Sequence, residues 1–140
     1  MSLNKGAVQS EGLSKGSIQQ TVSSNVVPIA SAVAIIGTTK VGQTLTGNYT
    51  YSDTEGDIEG ASTFRWLRDD VAIGGETSQT LVLTITDLTT IIKFEVTPVA
   101  LSGDSPGLAV QSIGVGPITA ASTINNTSYY LIEPDQLLIL

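Results

Sequence analysis

The strongest constraint on the fold is an alternation of apolar and polar residues in short runs along the middle of the chain. In residues 91–99, Ile92, Phe94 and Val96 alternate with polar residues, as in a strand with one buried face. Val, Ile and Thr dominate these runs, and no helical periodicity competes with the alternation. The pattern predicts strands over residues 32–36, 43–51, 63–68, 80–85, 91–99 and 108–115, with Leu81, Leu83 and Ile85 on one buried face. Such closely spaced strands predict an all-β sandwich or barrel.

The length of the chain indicates one domain with appendages. A β-sandwich takes about 100 residues, and this chain has 140 residues. We therefore predict an extended N-terminal arm over residues 1–31, a sandwich over residues 32–116 and a C-terminal tail over residues 117–140.

The N-terminal arm contains a short repeat. The segment Leu3–Gln9 matches the segment Leu13–Gln19, ten residues later, with four identical positions. Two copies are too few for a solenoid. They are either two equivalent docking peptides or a chance match in a biased sequence. In the first case the anchoring residues would be Leu3, Lys5, Val8, Leu13, Lys15 and Ile18.

The C-terminal tail carries two apolar clusters around a short polar segment. Residues 129–132 read Tyr-Tyr-Leu-Ile, and residues 137–140 read Leu-Leu-Ile-Leu. Exposed clusters of this kind promote aggregation. The tail is therefore expected to pack on its own domain, on a sister subunit or on a host surface. The predicted interface residues are Tyr129, Tyr130, Leu137, Leu138 and Leu140.

Composition narrows the classes of function. The chain has no cysteine and no histidine, which excludes a disulfide framework, a zinc–thiolate site and catalysis by a histidine base. The net charge of −7 argues against nucleic acid as a partner. No apolar stretch is long enough to span a membrane, and the N-terminus lacks the apolar core of a signal peptide.

The middle of the chain contains a series of short motifs in a characteristic order: Gly37-Thr38, residues 41–47 (Val-Gly-Gln-Thr-Leu-Thr-Gly), residues 49–53 (Tyr-Thr-Tyr-Ser-Asp), Gly56-Asp57, Glu59-Gly60, Phe64-Arg65-Trp66, Thr86-Asp87 and residues 92–99. These motifs carry a resemblance to a recurrent immunoglobulin-like (Ig-like) module of bacterial and phage surface and virion structural proteins. It implies an Ig-like antiparallel β-sandwich of about seven strands, with extended arms at both ends. Trp66, Phe64 and Phe94 are the predicted core aromatics. The family pattern usually has a glycine soon after Asp87, whereas Thr89 and Thr90 stand here.

One acidic segment is a candidate metal site. Asp53, Glu55, Asp57 and Glu59 alternate around Gly56, and calcium prefers several oxygen ligands from one loop. The alternative is a solvated turn with Gly56 at positive φ. A glycosidase pair would need two carboxyl groups across a cleft, which the tip of a sandwich does not offer. We therefore expect no cofactor, with calcium as the one candidate.

These features together predict a non-enzymatic structural protein. An Ig-like module between two interacting arms, without an export signal, is typical of a phage capsid decoration or fibre-like protein on the virion surface. Its partners would be other structural proteins or its own copies, in an oligomer or on a lattice. The alternative is a spacer or adhesion module from a bacterial cell-surface or secreted protein. A third hypothesis, binding of a host-surface glycan, requires an exposed aromatic platform.

Overall fold

The structure, a computed structural model, describes residues 24–122. Its elements are β1 (Ile29–Ile36), β2 (Thr44–Ser52), β3 (Thr63–Arg68), β4 (Val71–Ala72), β5 (Thr80–Val82), a 3₁₀ turn (Ile85–Asp87), β6 (Ile92–Thr97) and β7 (Val110–Gln111). Strands therefore form within the predicted runs, although those at residues 80–85 and 108–115 are shortened, and no α-helix forms among the described residues.

The strands form two antiparallel sheets. One sheet has the order β1-β2-β5 and the other has the order β4-β3-β6-β7. The chain crosses from one sheet to the other between β2 and β3, between β4 and β5, and between β5 and β6. The predicted all-β, Ig-like antiparallel sandwich is confirmed.

The core lies between the two sheets and is built around aromatic rings. Trp66 and Phe94 are fully buried, with their ring centroids 5.0 Å apart. Phe64 is half-buried and stacks on Phe94 at 5.5 Å. The indole N–H of Trp66 donates a hydrogen bond to the carbonyl of Ser78 (2.8 Å), so its one polar atom is satisfied inside the core. Leu45, Leu83, Ile92 and Val96 complete the packing.

The predicted strand over residues 80–85 is shorter in the structure. Leu81 and Leu83 are buried as expected, but the prediction that Ile85 shares their face is wrong, because Ile85 is 69% exposed. The ladder ends at Val82, and the chain turns into the 3₁₀ segment that begins at Ile85. A capping box between Thr84 and Asp87 supplies the hydrogen bonds that redirect the chain.

The turn between β3 and β4 uses two aspartates. Asp69 and Asp70 both have positive φ, at 46° and 66°, which is the conformation of a tight two-residue hairpin. Aspartate tolerates this region better than most residues. Asp69 Oδ1 also accepts a hydrogen bond from the backbone N–H of Ile91 (2.9 Å), and Asp70 pairs with Lys93.

Residues with defined packing lie on both sides of residues 32–116. Pro28 is fully buried and β1 begins at Ile29, within the predicted arm. Ile118 is 1% exposed and belongs to the core, within the predicted tail. The division into arm, body and tail otherwise stays a prediction.

Candidate functional site

The acidic segment lies at one end of the sandwich, between β2 and β3. Asp53 Oδ1 accepts hydrogen bonds from the backbone N–H groups of Glu55 (3.0 Å) and Asp57 (3.1 Å). Gly56 has φ of +84°, a conformation that glycine adopts without steric cost. The carboxylate of Asp53 therefore shapes the loop through its own backbone.

Asp57 ties this loop to two other segments. Its Oδ2 accepts a hydrogen bond from Asn25 Nδ2 (2.8 Å), and its Oδ1 accepts one from the hydroxyl of Ser102 (2.5 Å). Asn25 Oδ1 in turn accepts from the backbone N–H of Asp104 (2.9 Å). The hydrogen bonds from Ser102 and then Asn25 lower the pKa of Asp57 below its ordinary value. We call this end, with its loops at residues 53–57 and 101–104, the acidic pole.

Glu59 is used for internal hydrogen bonding. Its Oε1 accepts hydrogen bonds from the hydroxyls of Tyr49 (2.5 Å) and Ser62 (2.5 Å). Burial, together with the hydrogen bond to Glu59, raises the pKa of Tyr49. Ser62 Oγ also accepts from the backbone N–H of Val99 (3.1 Å), so the pair connects three segments beside the aromatic core.

The predicted calcium ligands do not converge. Asp53, Asp57 and Glu59 serve the separate contacts described above, and Glu55 accepts from the backbone N–H of Val26 (3.2 Å). Asp53 Oδ2 is buried without a hydrogen-bond partner, but calcium needs six or more oxygens around one point. Among residues 24–122, no three acidic side chains are grouped so that they could hold a metal ion. In the structure the four carboxylates therefore form a hydrogen-bonded brace, and calcium binding stays a prediction.

The opposite end of the sandwich is organised by a buried ion pair. Asp87 is 1% exposed, and its Oδ1 accepts from Nε (2.7 Å) and Nη2 (2.5 Å) of Arg68. Its Oδ2 accepts from the backbone N–H (2.7 Å) and the hydroxyl (2.8 Å) of Thr84. Burial alone would raise the pKa of Asp87, but the hydrogen bonds from Thr84 and Arg68 outweigh it and lower the pKa. The local side-chain-to-backbone bond expected at Asp87 is present, and Arg68 adds a charge partner to it.

Ile118 closes this same end of the core. Its backbone N–H donates to the carbonyl of Thr90 (3.1 Å), and its carbonyl accepts from the N–H of Thr89 (2.9 Å). The next residue, Thr119, exchanges backbone hydrogen bonds with Thr39 and Val41 in the turn between β1 and β2. We call this end the Ile118 pole. Lys40 Nζ reaches Ser122 Oγ there (3.0 Å).

The two ends of the described chain therefore lie at opposite poles. Asn25 is bound at the acidic pole, beside the start of β1, where Ile29 pairs with Ser52. Thr119 lies at the Ile118 pole, beyond the end of β1. The eight residues of β1 separate the two positions by about 26 Å at 3.3 Å per residue.

Two concave surfaces occur between the poles. One, of about 370 Å³, lies on the outer face of the four-stranded sheet and is lined by Thr63, Phe64, Arg65, Glu95, Thr97 and Ala109. Its charges are already paired, since Arg65 lies 2.6 Å from Glu95, which also accepts from Gln111 (2.7 Å). The other, of about 360 Å³, has an apolar lining of Val26, Val27, Pro28, Ile29, Ala30, Leu108 and Val110. We call the second surface the apolar groove.

Several predicted site residues lie outside the described residues. They are the anchor residues Leu3, Lys5, Val8, Leu13, Lys15 and Ile18 and the tail residues Tyr129, Tyr130, Leu137, Leu138 and Leu140. Within residues 24–122, all five aromatic side chains are buried or half-buried, so an exposed stacking platform for a glycan is not found there. Residues 24–122 contain no helix with the length and apolar character needed to cross a bilayer.

Residues 30–111 match the family model described as the AIR9 A9 domain, which has an Ig-like fold. The chain belongs to this family. No curated protein and no solved structure gave a match. The A9 domain identifies the chain as a structural or adhesion module, and domains of this kind are typically non-catalytic.

Two residues that stabilise the poles, one at each end of the sandwich, were not predicted from the sequence. Asn25 precedes Val26-Val27-Pro28-Ile29-Ala30, an almost unbroken apolar run into β1, and this run is the signal for an earlier start of the folded body. Ile118 follows Gly116-Pro117 and has no alternating neighbours. Its burial depends on contacts with distant turns that no local pattern encodes.

Proposed function

We propose that the chain is a non-enzymatic structural protein of a virion, a decoration or fibre-like component on the particle surface. Its N-terminal arm would bind the particle, and the A9 domain would be displayed away from it. The observation that supports the proposal is that the first and last described residues lie at opposite poles of the sandwich. An arm that precedes Asn25 would leave at the acidic pole, so the Ile118 pole would face outward.

The brace at the acidic pole supports this role mechanically. Asn25 is bound to both Asp57 and Asp104, so the segment that joins the arm to the sandwich is fixed at two points. A load on the arm would therefore pass into two loops of the sandwich. The ten-residue repeat would offer two equivalent contacts, and Lys5 and Lys15 would supply positive charge toward an acidic surface.

The same geometry favours a second candidate, a spacer or adhesion module of a bacterial cell-surface or secreted protein. Domains in a linear array need the chain to enter at one pole and leave at the other, and residues 24 and 122 lie at opposite poles here. In this case the neighbouring sequence would contain further modules of the same kind. Isolation of this chain from particles as a separate protein, without further modules of the same kind, would favour the virion hypothesis.

The direct test is incorporation of a truncated chain into particles. The deletion should remove residues 1–23 and keep Asn25, because Asn25 belongs to the sandwich. We expect loss of incorporation with unchanged fluorescence of Trp66, which reports an intact core. Serine at Leu3 and Leu13 together should act in the same way, with serine at Ala7 and Val22 as the matched control. Normal incorporation of the truncated chain would refute the anchor.

A further inference from the structure

The apolar groove is an uncharged surface on an acidic chain. Its seven lining residues are all apolar, and the chain has a net charge of −7. Leu108 is 83% exposed and Ile29 is 55% exposed, while Val26 and Val27 are each at least 40% exposed. Contiguous exposed apolar surface of this kind marks a binding site for another apolar segment.

The apolar groove lies at an edge of each of the two sheets. β1 is an edge strand of the three-stranded sheet, and β7 is an edge strand of the four-stranded sheet. Edge strands present unpaired backbone N–H and C=O groups, which an additional extended segment can satisfy. The groove therefore offers apolar contacts beside the backbone of two edge strands, the combination that binds an extended apolar peptide.

We propose that the apolar groove binds the chain's own C-terminal segment, residues 137–140. This segment reads Leu-Leu-Ile-Leu and contains no charged side chain. In an extended segment, alternate side chains face the same way, so two of the four would enter the groove. An apolar cavity of about 150 Å³ already accommodates benzene, so a groove of about 360 Å³ has room for two aliphatic side chains.

The length of the connecting chain fits this docking. The described chain ends at Ser122 at the Ile118 pole, about 26 Å along β1 from the groove. About 15 residues separate Ser122 from Leu137, and a flexible chain of that length has a root-mean-square span of roughly 20–23 Å. A linker whose average span is close to the required distance gives the highest effective concentration. Binding within one chain is therefore favoured over binding to a second copy.

Because the chain contains no cysteine, a pair of introduced cysteines can test this docking by disulfide formation. In the full-length chain, Leu108→Cys and Leu138→Cys place one thiol in the groove and one in the segment. The matched control pairs Leu138→Cys with Ile113→Cys. Ile113 is 89% exposed, and it lies nearer along the chain to Ser122. An undirected tail would reach Ile113 at least as readily as Leu108. Both pairs are equilibrated in a glutathione buffer, and disulfides within one chain are separated from those between chains by mass.

We expect the groove pair to form its intramolecular disulfide with an effective concentration at least about tenfold above that of the control pair. In the cysteine-free chain, Leu138→Asp should also speed amide hydrogen exchange at residues 26–30 and leave exchange in β3 unchanged. Equal disulfide formation in the two pairs would overturn the proposal. Covalent dimers as the main product of the groove pair would also overturn it, because the segment would then bind a second copy.

Discussion

Substitution of Asp87 by asparagine is expected to destabilise the sandwich strongly. Asparagine keeps the shape of the side chain but leaves one acceptor oxygen and adds an N–H₂ group. That group must face either Arg68 or the N–H of Thr84, both of which are donors. Removing one partner from a buried ion pair costs about 3–5 kcal/mol. Because the Arg68 side chain is 31% exposed and regains water, we expect a loss of about 2–4 kcal/mol in the free energy of unfolding.

The assay is urea unfolding followed by the fluorescence of Trp66, the single tryptophan, which is fully buried in the folded chain. Asp70→Asn is the matched control, since it also removes one carboxylate that is paired with a cation. The Asp70 side chain is 72% exposed, so its loss should change the free energy of unfolding by less than about 1 kcal/mol. A loss below about 0.5 kcal/mol for Asp87→Asn would refute the inference that this ion pair holds the Ile118 pole.

The pH dependence gives an independent check. The pKa of Asp87 is lowered in the folded chain, so the folded state favours the ionised carboxylate more than the unfolded state does. The resulting stabilisation is fully present above the unfolded-state pKa of about 4. It is lost as the pH falls through the lower folded-state value. Stability of the parent chain should therefore decrease through this acidic range, and Asp87→Asn should show a smaller decrease than Asp70→Asn.

Three further substitutions test the packing, each by urea unfolding. Thr89 has φ of +65°, which is costly for a β-branched residue. Thr89→Gly should stabilise the chain by about 1 kcal/mol, whereas Thr90→Gly should destabilise it. A decrease in the free energy of unfolding for Thr89→Gly would contradict the strain at this turn. Gly47→Ala should cost about 1–3 kcal/mol, because a Cβ atom there would overlap an aromatic ring of the core; a neutral result would place that ring elsewhere. Ile118→Ala should cost about 2–5 kcal/mol against less than about 0.5 kcal/mol for Ile113→Ala, and equal costs would remove Ile118 from the core.

The strands were predictable because their pattern is local. The run at residues 63–68 matches β3 at both ends, and the alternation of Ile92, Phe94 and Val96 places all three in the core. Alternation alone does not show where a ladder stops. Ile85 continues the pattern of Leu81 and Leu83, but the hydrogen bonds from Thr84 to Asp87 turn the chain away before it is reached.

The departure from the family pattern at Thr89 has a structural answer. Glycine is usual near this position because the chain turns there through positive φ, and Thr89 adopts that conformation with φ of +65°. Its N–H is held by the carbonyl of Ile118. The turn therefore adopts positive φ with a threonine in place of the usual glycine.

The acidic segment shows why a ligand pattern in sequence does not define a metal site. Alternation of Asp53, Glu55, Asp57 and Glu59 suggests that their carboxylates share a direction. In the structure, Asn25 and Ser102 bind one carboxylate, while Tyr49 and Ser62 bind another. Asn25 and Ser102 are distant in sequence from the segment, and Tyr49 lies on the preceding strand, so the direction of these carboxylates depends on the assembled fold.

The position of residues 24 and 122 at opposite poles of the sandwich can be measured directly. Ser24→Cys and Ser122→Cys in the full-length chain, labelled with nitroxides, allow the distance between the two positions to be measured by pulsed electron paramagnetic resonance. We expect a distance of at least about 25 Å, since the length of β1 separates the two poles. A distance below about 15 Å would place both positions at one pole. It would contradict the proposal that the sandwich separates the anchored end of the domain from the displayed end.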